Sequence, residues 1–309
     1  MKRLPGGLWP VMITPFKPDN TIDHENLKKL TDIYLESGAS GMFANCLSSE
    51  MYQLTTQERL ELVKTVVDHC KGKVPVAATG SFYLHGKDNA AFIRELYDLG
   101  VDAVVLISSI LAEPWESDEI LKRRIEEIMS ETGDIPLGVY ECPVPYKRVL
   151  SPELMGWMAG TGRFYYHKDT SCDNAAIKRK IDKIAGTQFQ MYNADTPSAL
   201  QSLKDGGVGI SSISANFYPE LYGHFLKLYE RDDMKALEKL NTRLIVMDRL
   251  THDFYPWSAK AFLEKRGFDI CTNTRLPMAK LTVKDKNIFD ALFRLFQDTL
   301  DEFGIKPVL

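Results

Sequence analysis

Short apolar runs recur along the chain, and each is followed by a stretch whose apolar residues fall at helical spacing. The run "LWPVMITPF" (8–16) reads as a strand. The "DHENLKKLTDIYLESG" after it places Leu27, Leu30, Ile33 and Leu35 on one helix face and stops at Gly38. "SGMFANCL" (40–47) is a second strand, followed by "TTQERLELVKTVVDHCKG", in which Thr55 or Thr56 caps a helix and Glu58 is placed for a capping box. The same unit returns with apolar runs at 74–80, 102–110, 135–142, 163–169, 189–195 and 208–216, each ahead of a helical pattern.

Eight strands alternating with eight helices imply a parallel sheet, because parallel neighbours need a crossover connection. Eight such units over residues 1–231 predict a closed (β/α)8 TIM barrel rather than an open doubly wound sheet. The dinucleotide fingerprint that would favour the open sheet is missing after the first strand. Residues 232–309 carry helical patterns without strands ("MKALEKLNTRLIVMDRLTHDF", "WSAKAFLEKRG", "KNIFDALFRLFQDTLDEFG"), so a C-terminal helical extension packed on the barrel is expected.

Composition narrows the function. The 309 residues are 44% hydrophobic and 26% charged with a net charge of −4, which gives no basic face for nucleic acid or anionic membrane. No run of apolar residues is long enough to span a bilayer, and "MKRLPGGLWP" lacks the apolar core of a signal peptide. Cys46, Cys70, Cys142, Cys172 and Cys271 are widely spaced, with no disulfide framework or zinc spacing. The six histidines show no ligand spacing either, so no metal site is expected, and a cytoplasmic location is.

Active sites of such barrels gather at the C-terminal strand ends. Those ends offer Leu47, Ser48, Ser49 and Glu50; Ser108 and Ser109; Tyr140 and Glu141; Lys168 and Asp169; Asn193 and Asp195; and Ser211, Ser212 and Ser214. In "RFYYHKD", an inward Lys168 brings Tyr166 and Phe164 inside the barrel with it by period-2 alternation and leaves His167 outside. An inward Tyr140 on the preceding strand brings Gly138 with it, a residue that leaves space below the phenol, and strands lie ~4.8 Å apart. A desolvated lysine keeps a lowered pKa, and a free amine attacks a ketone to give a Schiff base. A tyrosine hydroxyl at the same height would carry the proton that the dehydration step needs. Ser48 and Ser49, with the backbone N–H groups of their turn, read as a nest for a carboxylate.

With these residues assembled, the chain resembles the dihydrodipicolinate synthase / N-acetylneuraminate lyase family of class I aldolases and lyases. The resemblance runs from about residue 7 to "RLPM" (275–278) and rests on "VMITPF", the "SSE" turn, "YECPVP", "HKDT" and the 28-residue step from Tyr140 to Lys168. It implies that Lys168 forms the imine with pyruvate or a larger 2-oxo acid, that Tyr140 relays protons, and that Ser48 holds the carboxylate. It also implies an enzyme without external cofactor that is commonly a dimer or a dimer of dimers. By the same resemblance, Leu47 stands where the biosynthetic members have a relay threonine, and Leu111 where they have a second tyrosine. The arginine for the partner's carboxylate falls near Pro145 or Tyr146, with Lys147 and Arg148 close behind. Of the acidic residues that bind sugar hydroxyls in the sialic-acid lyases, only Asp195 is left. Both of those substrates are therefore disfavoured. The expected activity is retro-aldol cleavage or dehydration of a 2-oxo acid, with Ser48, Ser49, Leu47, Ser211, Asp195 and Leu111 around the substrate. The alternative is a barrel that binds a small carboxylic acid without turnover. A phosphate-handling isomerase built on Gly206 and Gly207 is disfavoured, because those glycines precede the eighth strand.

Overall fold

The apolar runs become eight parallel strands in a computed structural model that describes residues 3–309. They are β1 Gly7–Leu8, β2 Met42–Phe43, β3 Val76–Thr79, β4 Ala103–Ile107, β5 Leu137–Tyr140, β6 Phe164–Asp169, β7 Gln190–Asn193 and β8 Gly209–Ile210. The hydrogen-bonded order is β1-β8-β7-β6-β5-β4-β3-β2. The two ends of that series meet through backbone bonds from Ser40 N to Leu8 O (2.8 Å), Phe43 N to Pro10 O (3.0 Å) and Met12 N to Phe43 O (3.0 Å), so the barrel closes. The strand expected over 8–16 is largely irregular, since Pro10 and Pro15 have no N–H to give to a ladder.

The helices are α1 His24–Glu36, α2 Thr56–Cys70, α3 Gly86–Asp98, α4 Asp118–Glu131, α5 Pro152–Gly160, α6 Asn174–Ile184, α7 Thr196–Lys204 and α8 Pro219–Glu230. Their starts follow local chemistry. Thr55 and Glu58 form the reciprocal capping box of α2, and Ser151 caps α5 ahead of a proline at its first position. Three further helices, α9 Met234–Arg249, α10 Trp257–Lys265 and α11 Val283–Phe303, form the extension. Helix α9 packs on α7 and α8, and α11 packs on α9. Among the described residues, no helix is long and apolar enough to cross a membrane. All five cysteines are unpaired, with Cys46 and Cys142 buried.

Two separate apolar layers result. One lies between sheet and helices; the other fills the barrel and is mainly aromatic. Trp9, Tyr166 and Tyr192 stack with centroids 4.6 to 5.1 Å apart, and Phe43 meets the edges of Tyr166 (5.5 Å) and Tyr140 (5.8 Å). This plug is a rigid floor for the strand ends.

Strict alternation along β6 does not hold. The pairing with β5 jumps from Leu137–Phe164 to Gly138–Tyr166, so Tyr165 is an extra residue. Phe164 therefore turns to the helix side, where it meets Phe189 at 5.5 Å, instead of facing inward. Nor is the space beside Gly138 open. A Cβ there would stand 2.8 Å from Tyr166 O and 3.1 Å from Tyr166 Cβ. Gly138 thus serves close strand approach beneath Tyr140. Gly138→Ala should destabilise the protein by about 1–3 kcal/mol in denaturant melts, by overpacking against a backbone atom that cannot swing away. An unchanged midpoint would contradict this packing.

Candidate active site

Three lysines are buried among the described residues: Lys168, Lys180 and Lys260. Two of them are neutralised. Lys180 Nζ reaches Glu141 Oε1 and, at 2.7 Å, Asp169 Oδ2; Lys260 Nζ reaches Glu50 Oε1 at 3.0 Å and Asn273 O at 2.5 Å. The Lys168 amine, on a residue only 3% exposed, has no carboxylate or other acceptor in reach among the described residues. Its neighbours are the faces of Tyr140, 4.4 Å from Nζ to centroid, and Phe43, 6.0 Å away. Burial without a counter-charge lowers its pKa to about 8. Tyr140 stands directly opposite Lys168 in the β5–β6 register, at the matched height that the strand spacing allows. Burial pushes the Tyr140 phenol well above its ordinary value, so it stays a neutral hydroxyl.

The residues flanking Lys168 point the other way and make a separate network. His167 and Asp169 on β6, Glu141 after β5 and Lys180 on α6 are all buried behind the barrel wall. His167 Nε2 lies 3.6 Å from Asp169 Oδ2 and 3.8 Å from Glu141 Oε1. This cluster, which brings Glu141, His167 and Asp169 within ligand distance of one another, receives its positive charge from Lys180. Burial alone would raise the Asp169 carboxyl, but His167 and Lys180 outweigh it and hold it below the usual carboxylate range. Glu141 also accepts from Leu150 N (2.9 Å) and Thr170 N (3.0 Å), and its carbonyl accepts from Thr170 Oγ1 (2.6 Å). The ends of β5 and β6 are thereby tied together just where Tyr140 and Lys168 emerge.

The SSE turn is a single 3-10 turn, Leu47–Ser49. Among the described residues, the N–H groups of Leu47 and Ser48 have no intramolecular acceptor, and the Ser48 hydroxyl lies beside the Tyr255 phenol. Ser49 turns inward: its Oγ lies within hydrogen-bond reach of the Met12 and Ala44 carbonyls, which share its one proton, and accepts from Cys46 N. Glu50, left-handed at φ 58°, links the turn to the C-terminal extension through Lys260 and by accepting from Arg275 N (2.6 Å) and Leu276 N (2.9 Å).

Lys168, Tyr140, Ser48, Leu47 and Asp195 line one cavity of about 540 Å³. Ser49, Ser211 and Leu111 do not. Ser211 Oγ is engaged by Tyr166 OH (2.7 Å) and Trp9 O (2.8 Å) inside the barrel, and Leu111 is fully buried in the sheet–helix layer. Asp195 has a structural task as well, capping α7 through Ser198 N at 3.1 Å. Arg148 is drawn away to Asp118 and the carbonyls of Glu113 and Glu116, whereas Lys147 lines the cavity and bonds Thr170 O at 2.6 Å. Tyr52, Asp248, His252 and Tyr255 also line the wall, although none of them stands at a strand end. A signal existed for one pair: Asp248 and His252 are four apart at the end of α9, beside the buried stripe Leu237, Leu240, Leu244 and Met247.

The model of the dihydrodipicolinate synthetase family matches residues 4–294. A 4-hydroxy-tetrahydrodipicolinate synthase of Jannaschia sp. is 30% identical over 223 residues, covering 71% of this chain and 73% of the relative. The Bacillus subtilis protein of the same name is 28% identical over 284 residues, covering 91% and 96%. Among solved structures, the 4-hydroxy-tetrahydrodipicolinate synthase of Methylacidiphilum fumariolicum SolV aligns with a TM-score of 0.86 at 20% identity, covering 97% of this chain and 98% of that one. A prophage protein of the dihydrodipicolinic acid synthase family from E. coli K12, solved in complex with pyruvate, aligns with a TM-score of 0.84 at 22% identity, covering 94% and 98%.

The amine's burial has a thermodynamic consequence with a definite sign. In the unfolded chain Lys168 holds its proton up to its ordinary pKa of 10.5, but in the folded chain only up to about 8. Between those values the unfolded state binds more protons, so stability rises with pH through that window. Lys168→Met should therefore stabilise the protein by about 3 kcal/mol at pH 7, and the gain should shrink as pH climbs from 8 towards 10.5. Denaturant melts of both proteins across that range would show it; a destabilised Lys168→Met at pH 7 would mean that the amine is paired.

Proposed function

The chain belongs to the dihydrodipicolinate synthetase family, and from that premise we propose that it is a Schiff-base-forming lyase acting on pyruvate or a larger 2-oxo acid. As a member of that family it is an enzyme of the class I aldolase type. The observation that carries the substrate reading is the Lys168 amine, buried without a counter-charge, in register with Tyr140 and open to the cavity. Lys168 attacks the C2 carbonyl of the 2-oxo acid. The Tyr140 hydroxyl passes a proton to the departing water as the carbinolamine collapses. The resulting iminium withdraws electrons from C3, which permits either cleavage of the C3–C4 bond or loss of a leaving group beyond C3. Ser48, with the free N–H groups of Leu47 and Ser48, is the cradle for the C1 carboxylate.

The rest of the cavity favours a substrate other than that of the biosynthetic relatives. Leu47, Pro143, Val144, Ile213 and Leu276 give it an apolar wall, and Arg148 does not reach it. A binder without turnover would have no use for an unneutralised amine, whose burial costs stability and which a simple carboxylate pocket would keep paired.

Borohydride reduction in the presence of pyruvate tests the reading. Mass spectrometry should find a single reduced pyruvyl adduct on Lys168, absent in Lys168→Ala. Tyr140→Phe should slow adduct formation by about 100-fold. No adduct, or one on another lysine, would sink the proposal.

A further inference from the structure

One acid–base pair on the cavity wall is unused by the chemistry above. Asp248 is buried in the apolar face of α9, and its Oδ1 accepts from three hydroxyls: Thr196 (2.8 Å), Ser212 (3.3 Å) and Ser214. Its Oδ2 faces His252 Nε2 at 3.2 Å. Those hydroxyl bonds and the one from His252 outweigh burial and keep the carboxyl ionised, so it accepts the Nε2 proton. The neutral ring then carries its lone pair on Nδ1, which has no partner among the described residues. The His252 side chain is half exposed, and both residues line the cavity that holds Lys168. A carboxylate fixed by three hydroxyls and orienting an imidazole at a cavity wall is the arrangement of a general base.

Resting on the imine chemistry proposed above, we infer that His252, oriented by Asp248, is the acid–base residue for the C4 hydroxyl that C3–C4 cleavage of a 2-oxo acid requires. In the cleavage direction, His252 Nδ1 takes the proton of the C4 hydroxyl. The C4 oxygen forms the carbonyl, the C3–C4 bond breaks, and its electron pair enters the iminium to leave an enamine on Lys168. The aldehyde departs, the enamine takes a proton at C3, and water hydrolyses the imine to release pyruvate and the free amine. The imidazolium returns its proton to solvent, and no oxidant or reductant is required. Tyr140 serves the C2 end and His252 the C4 end, so the two proton transfers use different groups.

The charges around the ring are Asp248 and Arg249 at the end of α9 and Asp195 after β7, with Lys147 and Lys168 elsewhere on the cavity wall. The hydrogen bond to Asp248 raises the His252 pKa above its ordinary 6.5, so the base is formed as pH rises through that raised value. Asp248 acts through His252 and is a positioning residue.

The test combines pyruvate trapping with cleavage of 4-hydroxy-2-oxopentanoate, read as acetaldehyde released. His252→Gln should still give the reduced pyruvyl adduct at Lys168, while kcat/KM for cleavage falls by about 100-fold or more and its rising limb with pH disappears. Asp248→Asn should move that limb to lower pH; if this variant does not fold, as absence of the adduct would reveal, His252→Gln decides alone. Cleavage and pH limb unchanged in His252→Gln would overturn the assignment, as would a wild-type protein that forms the adduct but cleaves nothing. A wild-type protein that forms no adduct would instead remove the imine reading, and this inference with it.

Discussion

An ammonium group taken out of water needs a counter-charge, or else it holds its proton less tightly. This barrel applies the first solution twice and the second once. Lys180 and Lys260 are matched with carboxylates, while Lys168 has the rings of Tyr140 and Phe43 beside it and no carboxylate. Period-2 alternation at the end of β6 makes the distinction possible within three consecutive residues. His167 and Asp169 face the helix layer, where Lys180 pairs with Asp169, and the residue between faces the cavity without a partner. Were Asp169 on the inner side, it would hold the amine protonated and abolish its nucleophilicity. The charge network behind the wall thus does two jobs: it locks the ends of β5 and β6 through Glu141, and it keeps its own carboxylates away from the amine.

The C-terminal extension is part of this site as well as a cover for the barrel. Lys260 and the backbone of Arg275 and Leu276 hold Glu50, which fixes the turn that presents Ser48. Helix α9 brings Asp248, and the residues just beyond it bring His252 and Tyr255 to the cavity. The barrel supplies the imine-forming end; the extension shapes the end where the remainder of a substrate must lie.

Local signals made much of this legible. Apolar runs gave the strands, and caps such as Thr55 with Glu58 gave helix starts. Alternation allowed Lys168 and Tyr140 to share the inner face, and the resemblance supplied their roles. What escaped was set by contacts between distant segments. The bulge that turns Phe164 outward depends on how β5 pairs with β6, and the filled space beside Gly138 depends on Tyr166. Ser49 and Ser211 look like ligand hydroxyls in sequence, but each is consumed by backbone carbonyls across the barrel. His252 lies 84 residues from Lys168 and shares its cavity only through the packing of α9 on α7 and α8.

The protonation state of one nitrogen therefore decides the account. Nitrogen-15 labelling of the lysine side chains, with the Lys168 signal assigned by its loss in Lys168→Met, allows its titration to be followed directly by NMR in the unliganded protein. A midpoint near 8 is the expected result. A midpoint at or above the ordinary 10.5 would show that the amine stays charged at the barrel mouth, and would contradict it.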